Sequence, residues 1–323
     1  MSIRHLFAGV NSPDGFYSNF QSIIDEEKAE KIIYIKGGPG TGKSTLMKKI
    51  AGTFDGLGEP VEVFHCSSDP GSLDGVHLPN RKIALMDSTA PHVMEPKYPM
   101  VNGQIFNAAD CLETDMLIGK TKTLSGYCAT KKAAFNLGFQ YLKAVAPISC
   151  AIDQNTYETA KTQEPASKIV ERHLSKPSQS GRGTVRPLFL SAVTPDGEVS
   201  YLDSLCASHT VASLPANPQH IIEQATELGY DVEAFYCPLF PDSKIDHIHI
   251  PEINLWLSSE PQYQPELKHL YDCKQMLIAG AVKAFSDARE AHRAMEQNVF
   301  IPAMNFEKLD KMMAHLLKTI ALS

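Results

Sequence analysis

The sequence predicts an α/β protein made of two related units, each a three-layer sandwich around a mainly parallel sheet. Three observations predict it: the chain repeats itself, short apolar runs alternate with helical segments, and a glycine-rich loop sits at one strand-to-helix junction. RHLFAGVNSPDG, from Arg4, is echoed by RPLFLSAVTPDG, from Arg186. LGEPVEVFHC, ending at Cys66, returns as LGYDVEAFYC, ending at Cys237; SLDGVHLP, ending at Pro79, returns as KIDHIHIP, ending at Pro251. Three blocks in one order imply two halves descended from one unit, and the period is too long for a solenoid. SKPSQSGRGTV, residues 175–185, has linker composition. The expected division is therefore a first domain over 1–175, a linker over 176–185 and a second domain over 186–323.

Within the first half, KIIYIK (31–36), VEVFHC (61–66) and KIALMD (82–87) are short apolar runs suited to strands buried on both faces. STLMKKIAGTF, between the first two, is helical, which makes a βαβ unit and predicts parallel strands. Helical stretches follow over about residues 126–146 and 157–174. The second half offers VEAFYC and INLWLS as strands, then a helix-rich tail from about Pro265 to Ile320.

Composition narrows the function classes. The 323 residues are 43% hydrophobic, and a net charge of −7 with a pI near 5.9 leaves no electrostatic footprint for nucleic acid. The apolar runs stop short of the roughly 18 residues a membrane span needs, and MSIRHLFAGVNSPDG lacks a signal-peptide pattern. A cytoplasmic protein without a membrane partner is expected; a protein partner or homo-oligomer stays open. Seven cysteines without a CxxC pair suggest reduced, mostly buried thiols.

GGPGTGKS, Gly37 to Ser44, satisfies GxxxxGK[ST] and lies between a β-rich run and a helix. Its glycines let backbone N–H groups turn inward around phosphate oxygens, and the helix N-terminus adds positive potential. The expected nucleotide-binding set is Gly37, Gly38, Pro39, Gly40, Thr41, Gly42, Lys43, Ser44 and Thr45. Lys43 would reach the β- and γ-phosphates, and Ser44 would offer its hydroxyl to Mg²⁺. The metal carboxylate is expected from Asp87, at the end of KIALMD, the Walker B pattern of a P-loop NTPase. Ser88 follows it, so the second acid used by many ATPases is absent. Asp69, in HCSSDPGSLDG, is the choice for orienting a water or acceptor hydroxyl, although Asp69-Pro70-Gly71 also reads as a self-capping turn. His65, Cys66, Ser67 and Asp74 should lie near the same end of the sheet. His65, Cys66 and His92 lack the compact spacing of a metal site.

The second copy departs where the chemistry sits. SLPANPQHIIEQ (213–224) replaces the loop without a glycine, and Pro215 and Pro218 remove backbone donors. Ser259 stands where Asp87 stands in the first half. The second half is expected to be a degenerate copy without Walker A or Walker B, kept for packing, for partner or substrate binding, or for completing the first site.

RHLFAG…PDG, KGGPGTGKST, VEVFHCSSDPGSLDG and DSTAPH, with RPLFLSAVTPDG and IDHIHIPE, resemble a family of bacterial two-copy P-loop ATP-binding proteins best represented in spore-forming Gram-positive bacteria. The resemblance spans nearly the whole chain and implies ATP binding on a P-loop NTPase fold; the glycine-rich loop common in that family's second half is missing here. Three functions follow as expectations: a Mg²⁺-dependent ATPase or ATP-gated switch, a small-molecule kinase with its acceptor near His65 to Asp74, or a non-hydrolysing nucleotide-binding scaffold. No arginine occurs between Arg81 and Arg172 to serve a kinase lid, which ranks the ATPase first. Absence of an NKxD-type sequence favours ATP over GTP. Arg4, Arg81 and Arg186 are the candidate arginine fingers, each of which could equally be a surface ion pair.

Overall fold

The computed structural model describes residues 3–159, 166–174, 181–206, 210–215, 217–259 and 263–322. Residues 160–165 of the expected second helical stretch, residue 175 and residues 176–180 of the expected linker lie outside these. Six strands form the first sheet: β1 (Arg4–Leu6), β4 (Lys31–Lys36), β5 (Glu62–Cys66), β6 (Asp69–Leu78), β7 (Ile83–Asp87) and β8 (Gly103–Asn107), in the order β1-β5-β6-β7-β4-β8. β2 (Gly9–Ser12) and β3 (Gly15–Ser18) form a separate hairpin. The apolar runs read from the sequence become β4, β5 and β7, and α1 (Lys43–Gly56) connects β4 to β5.

The sheet is mixed: five of its six strands run in one direction, as a mainly parallel sheet requires, and β6 alone opposes them. β6 runs antiparallel to both β5 and β7, while β1 and β5 pair in parallel, as do β4 with β7 and β4 with β8. The segment read as a loop, DPGSLDG, is the start of β6: the chain reverses at Ser67–Ser68 and climbs back along β5. Asp, Pro and Gly are poor strand formers, so local propensity hid a strand that its two neighbours impose.

The second sheet consists of β9 (Val185–Leu188), β12 (Thr210–Ser213), β13 (Val232–Cys237), β14 (Phe240–Ile250) and β15 (Leu255–Ser258), in the order β12-β15-β14-β13-β9. Read from β9, its pairings are parallel, antiparallel, antiparallel and parallel, the same succession as β1-β5-β6-β7-β4. β10 (Ser191–Thr194) and β11 (Gly197–Ser200) repeat the small hairpin. β8 has no counterpart among the described residues.

The layers differ from two separate three-layer sandwiches. Along β4, Ile33 and Ile35 face α1 and the C-terminal helix α7 (Phe306–Leu322), while Ile32 and Tyr34 face the other way. That other face packs on the second sheet through Phe235 and Trp256, so the two sheets meet directly. The outer face of the second sheet is covered by α3 (Ala166–His173) and α5 (Pro218–Glu227). The result is helices, sheet, sheet, helices, with each sheet buried on both sides as its apolar runs require. Chain order and packing cross over: Leu309, Met313, Leu316 and Ile320 of the last helix complete the first core, and Ile169 and Leu174 complete the second. Two long helices, α2 (Thr121–Thr159) and α6 (Lys268–Met295), pair across the halves and cover the hairpins.

Where the sheets meet, Arg4 donates to Glu62 and to Glu233, each at 2.6 Å, and Arg186 donates to Glu62 at 2.7 Å and Glu233 at 3.1 Å. His77 and His249 lie against Glu62 and Glu233 at 2.8 and 2.7 Å. Burial opposes ionisation of these acids, but the cations outweigh it and hold Glu62 well below the usual range and Glu233 at about 2. Arg4 and Arg186 are therefore interface clamps rather than arginine fingers. Arg81 is likewise engaged, with both oxygens of Glu59 and with the carbonyls of Ile320 and Ala321 at the end of α7. The six thiols that the structure describes are free, but Cys128, Cys150 and Cys273 among them are exposed on α2 and α6, correcting the expectation of mostly buried ones. No helix among the described residues is long and apolar enough to cross a membrane.

Candidate nucleotide-binding site

β4 delivers the chain into the glycine-rich loop, and α1 takes it away at Lys43. Gly37, Gly40 and Gly42 have φ of 151°, 70° and 82°, values that side chains resist, so these glycines are what lets the loop curl. The Thr41 hydroxyl donates to the Gly38 carbonyl at 2.7 Å, a cross-brace buried with Thr41. The first helical hydrogen bond is that from Leu46 N–H to the Gly42 carbonyl at 2.9 Å. The amides of Lys43, Ser44 and Thr45 precede it and have no partner within the helix, the condition that makes a helix start an anion site. The Thr45 side chain is exposed and Pro39 half-buried.

Lys43 bends back over the loop. Its Nζ donates to the Gly37 and Gly38 carbonyls at 3.0 and 2.9 Å and lies 3.7 Å from Asp87 Oδ2. Asp87 is brought there because β7 is the direct parallel neighbour of β4, with Ile35 opposite Asp87 in register. Asp87 Oδ1 accepts from Thr89 N–H at 2.9 Å and Thr89 Oγ1 at 2.5 Å, which fixes the carboxylate and leaves Oδ2 turned to Lys43. Ser44 Oγ accepts from Leu73 N–H of β6 at 3.0 Å, tying the helix start to the reversed strand.

A buried group of side chains lies beside this pair. Asp74 is pushed up to about 8, first by burial and then by the charge of Asp87, while the Cys66 thiol donates to it and Lys43 acts in the opposite sense. Burial raises the Cys66 thiol as well. His92 Nε2 is 3.5 Å from Asp74, its ring stacks on Phe20 at 4.4 Å, and burial lowers it to about 4. His65 turns elsewhere, to His5 at 2.9 Å and to the Pro70 carbonyl at 2.8 Å, and burial lowers it to about 4. Among the described residues no group of three or more His, Cys, Asp and Glu side chains converges as a metal cage. Ser44 and Asp87, with hard oxygen donors on adjacent elements, do suit a Mg²⁺ ion that takes its remaining ligands from phosphate and water.

Asp69 has a different setting from the one its sequence context suggests. One oxygen accepts from Ser72 at 2.8 Å, and the other faces Arg289 at 3.8 Å and Arg293 at 3.6 Å, both on α6 of the second half. The same helix reaches the loop. Glu296, in the π-turn (Glu296–Phe300) that ends α6, accepts from the Gly40 N–H at 2.8 Å. Burial opposes its ionisation, but His292 and the Gly40 amide hold its carboxyl below the ordinary range. Beyond it, a Cβ on Gly38 would meet Phe300 at 3.0 Å, one on Gly40 would meet Ile301 at 2.9 Å, and one on Gly42 would meet Leu309 at 2.7 Å. The loop is thus roofed by the C-terminal segment. Nothing near the loop in sequence signals these residues, which lie some 250 positions away; only the i, i+4, i+7 spacing of Arg289, Arg293 and Glu296 marks them as one helix face.

At the second half's corresponding end, β14 and β15 pair with the register of β6 and β7, so Ser259 follows β15 at the place of Asp87. Asp246 matches Asp74 and also accepts from a thiol, Cys237, but Lys244 lies 3.9 Å from it and Asp153 of α2 pairs with Lys244 at 2.6 Å. The place of the glycine-rich loop is taken by Leu214, Pro215 and the start of α5, with residue 216 outside the described residues. No protein-family model, curated protein or solved structure matches the chain.

Proposed function

We propose that the chain is an ATP-binding protein of P-loop NTPase type with one nucleotide site, built on the first half and roofed by the second, and that it works as a Mg²⁺-dependent ATPase or ATP-gated switch. The observation that carries this reading is the junction itself: a glycine-rich loop with three positive-φ glycines between a parallel strand and a helix start, with Lys43 and Asp87 3.7 Å apart across it. In this reading the free amides at the start of α1 and Lys43 hold the phosphates. Ser44 and Asp87 hold Mg²⁺, which would neutralise developing charge on the phosphates. The matched strand orders support descent of both halves from one unit, the second having lost its loop and its Asp87 equivalent. Its retained task is structural and regulatory: it supplies α6 and α7 to the first site.

The contact between Glu296 and Gly40 supports a switch. A nucleotide that uses the Gly40 amide must displace the Glu296 carboxylate, so occupancy of the loop is felt at the end of α6. Hydrolysis of ATP by the purified chain with Mg²⁺, beside Lys43→Ala, tests the enzymatic reading: turnover that the substitution abolishes supports it, and turnover that survives contradicts it. Lys43-dependent binding without turnover would leave the switch and remove the ATPase.

A further inference from the structure

The last turns of α6 touch the candidate site at two points. Glu296 reaches Gly40 on the loop, and Arg289 and Arg293 reach Asp69 at the start of β6. Leu73, four residues along from Asp69, is tied to Ser44. The guanidinium groups therefore stand over the start of β6, at the same end of the first sheet as the loop, and Asp69 is near enough to act on Asp74, as Asp87 and Lys43 do. They are also incompletely used. Arg289 is 13% exposed and holds Asp196 at 2.7 Å, yet its Nε is buried without a hydrogen-bond acceptor in the structure. Arg293 meets Asp69 and Glu290 only at 3.6 and 3.4 Å. A buried guanidinium donor without an acceptor is costly, and the long contacts to one carboxylate oxygen fall short of the bidentate geometry that arginine prefers.

We propose that Arg289 and Arg293, delivered by the second half through α6, bind the terminal phosphate of the nucleotide held by the Gly37–Ser44 loop, and that Asp69 is the counter-ion on which they rest without nucleotide. The inference builds on the nucleotide reading and adds a preference: the site is made for a nucleoside triphosphate, because only the γ-phosphate reaches the arginines. It also reassigns Asp69 from a water-orienting group to an arginine-positioning one. Charge supports it: two guanidinium groups and Lys43 offset much of a triphosphate's charge, whereas Asp87 alone would repel it. The second half, with no loop of its own, thereby keeps a part in the site.

The test is equilibrium binding of ADP and of the non-hydrolysable β,γ-imido analogue of ATP, with Mg²⁺, to the full chain and to Arg293→Gln, Arg289→Gln and the double variant. Far-ultraviolet circular dichroism and melting serve as the folding control. Arg293 is 46% exposed, so its single variant keeps the measurement interpretable if removal of Arg289 unsettles the fold. The expected result is at least a tenfold loss of analogue affinity in the double variant and a severalfold loss in Arg293→Gln, with ADP affinity within about twofold of the parent. Arg293→Lys should restore part of the loss, since a point charge replaces the fork. Equal losses for both nucleotides, or none for either, in a parent that binds both would overturn this inference and leave the nucleotide site standing. A parent that binds neither nucleotide overturns both.

Discussion

Replacing Glu296 with alanine should tighten nucleotide binding. The Glu296 carboxylate accepts from the Gly40 amide at 2.8 Å, and its side chain is 28% exposed. A hydrogen bond to a charged group contributes about 1.5–3 kcal/mol, and this exposure places the contact near the lower end. A contact of about 1.5 kcal/mol keeps the loop amide free in roughly one molecule in ten, and the apparent affinity falls by that fraction. Alanine keeps the Cβ that packs near Gly40 and removes the carboxylate, so ATP and ADP should each bind about tenfold more tightly. Glutamine keeps a neutral acceptor and should fall between parent and alanine. Calorimetric titration of all three proteins with both nucleotides is the assay. Unchanged or weaker binding in Glu296→Ala would show that the carboxylate does not compete with phosphate, and the switch would lose its basis.

Other consequences concern the seam between the halves. Glu62→Gln leaves Arg4 and Arg186 short of a buried partner and should destabilise the fold by about 3–5 kcal/mol in urea denaturation; a loss under about 1 kcal/mol would contradict the clamp. Both buried acids are held below their unfolded value of 4.5, Glu233 at about 2, so the stability they give is present above pH 4.5 and is lost as pH falls toward 2. Urea midpoints that stay level from pH 5 to pH 3 would refute that. On the paired long helices, a Cβ on Gly138 would strike the fully buried Phe285 ring, its Cδ1 at 2.7 Å, whereas one on Gly280 would meet Tyr141, which is only half-buried and has room to move. Gly138→Ala should therefore lower the melting temperature despite alanine's gain in helix propensity of about 1 kcal/mol, and Gly280→Ala should lower it less. The reverse order would mean that the helices are not held by these two contacts.

The sequence revealed most where structure is set by neighbours along the chain. The loop, α1, β4, β5 and β7 follow from local motif and apolar runs, and the register of Ile35 with Asp87 realises the pairing that the motif anticipates. β6 escaped because its first residues, Asp69, Pro70 and Gly71, carry the composition of a turn and are held in a strand by β5 and β7. The meeting of the two sheets escaped for a different reason. Runs such as KIIYIK announce burial on both faces without saying whether a helix or another sheet supplies the cover. The arginines named from their positions at the head of each repeat proved to be clamps, since each is claimed by the same two buried glutamates. The residues of the second half that reach the loop and Asp69, namely Glu296, Arg289 and Arg293, lie in a stretch whose pattern reads as an ordinary charged surface; only tertiary packing brings it there.

The most direct test of the account is the affinity of the purified chain for ATP with Mg²⁺, measured by titration beside Lys43→Ala. One ATP per chain is expected, because the second half has neither the glycine-rich loop nor a counterpart of Asp87, with a loss of at least a hundredfold in the variant. Two equivalents per chain, or binding that the Lys43 substitution leaves intact, would contradict it.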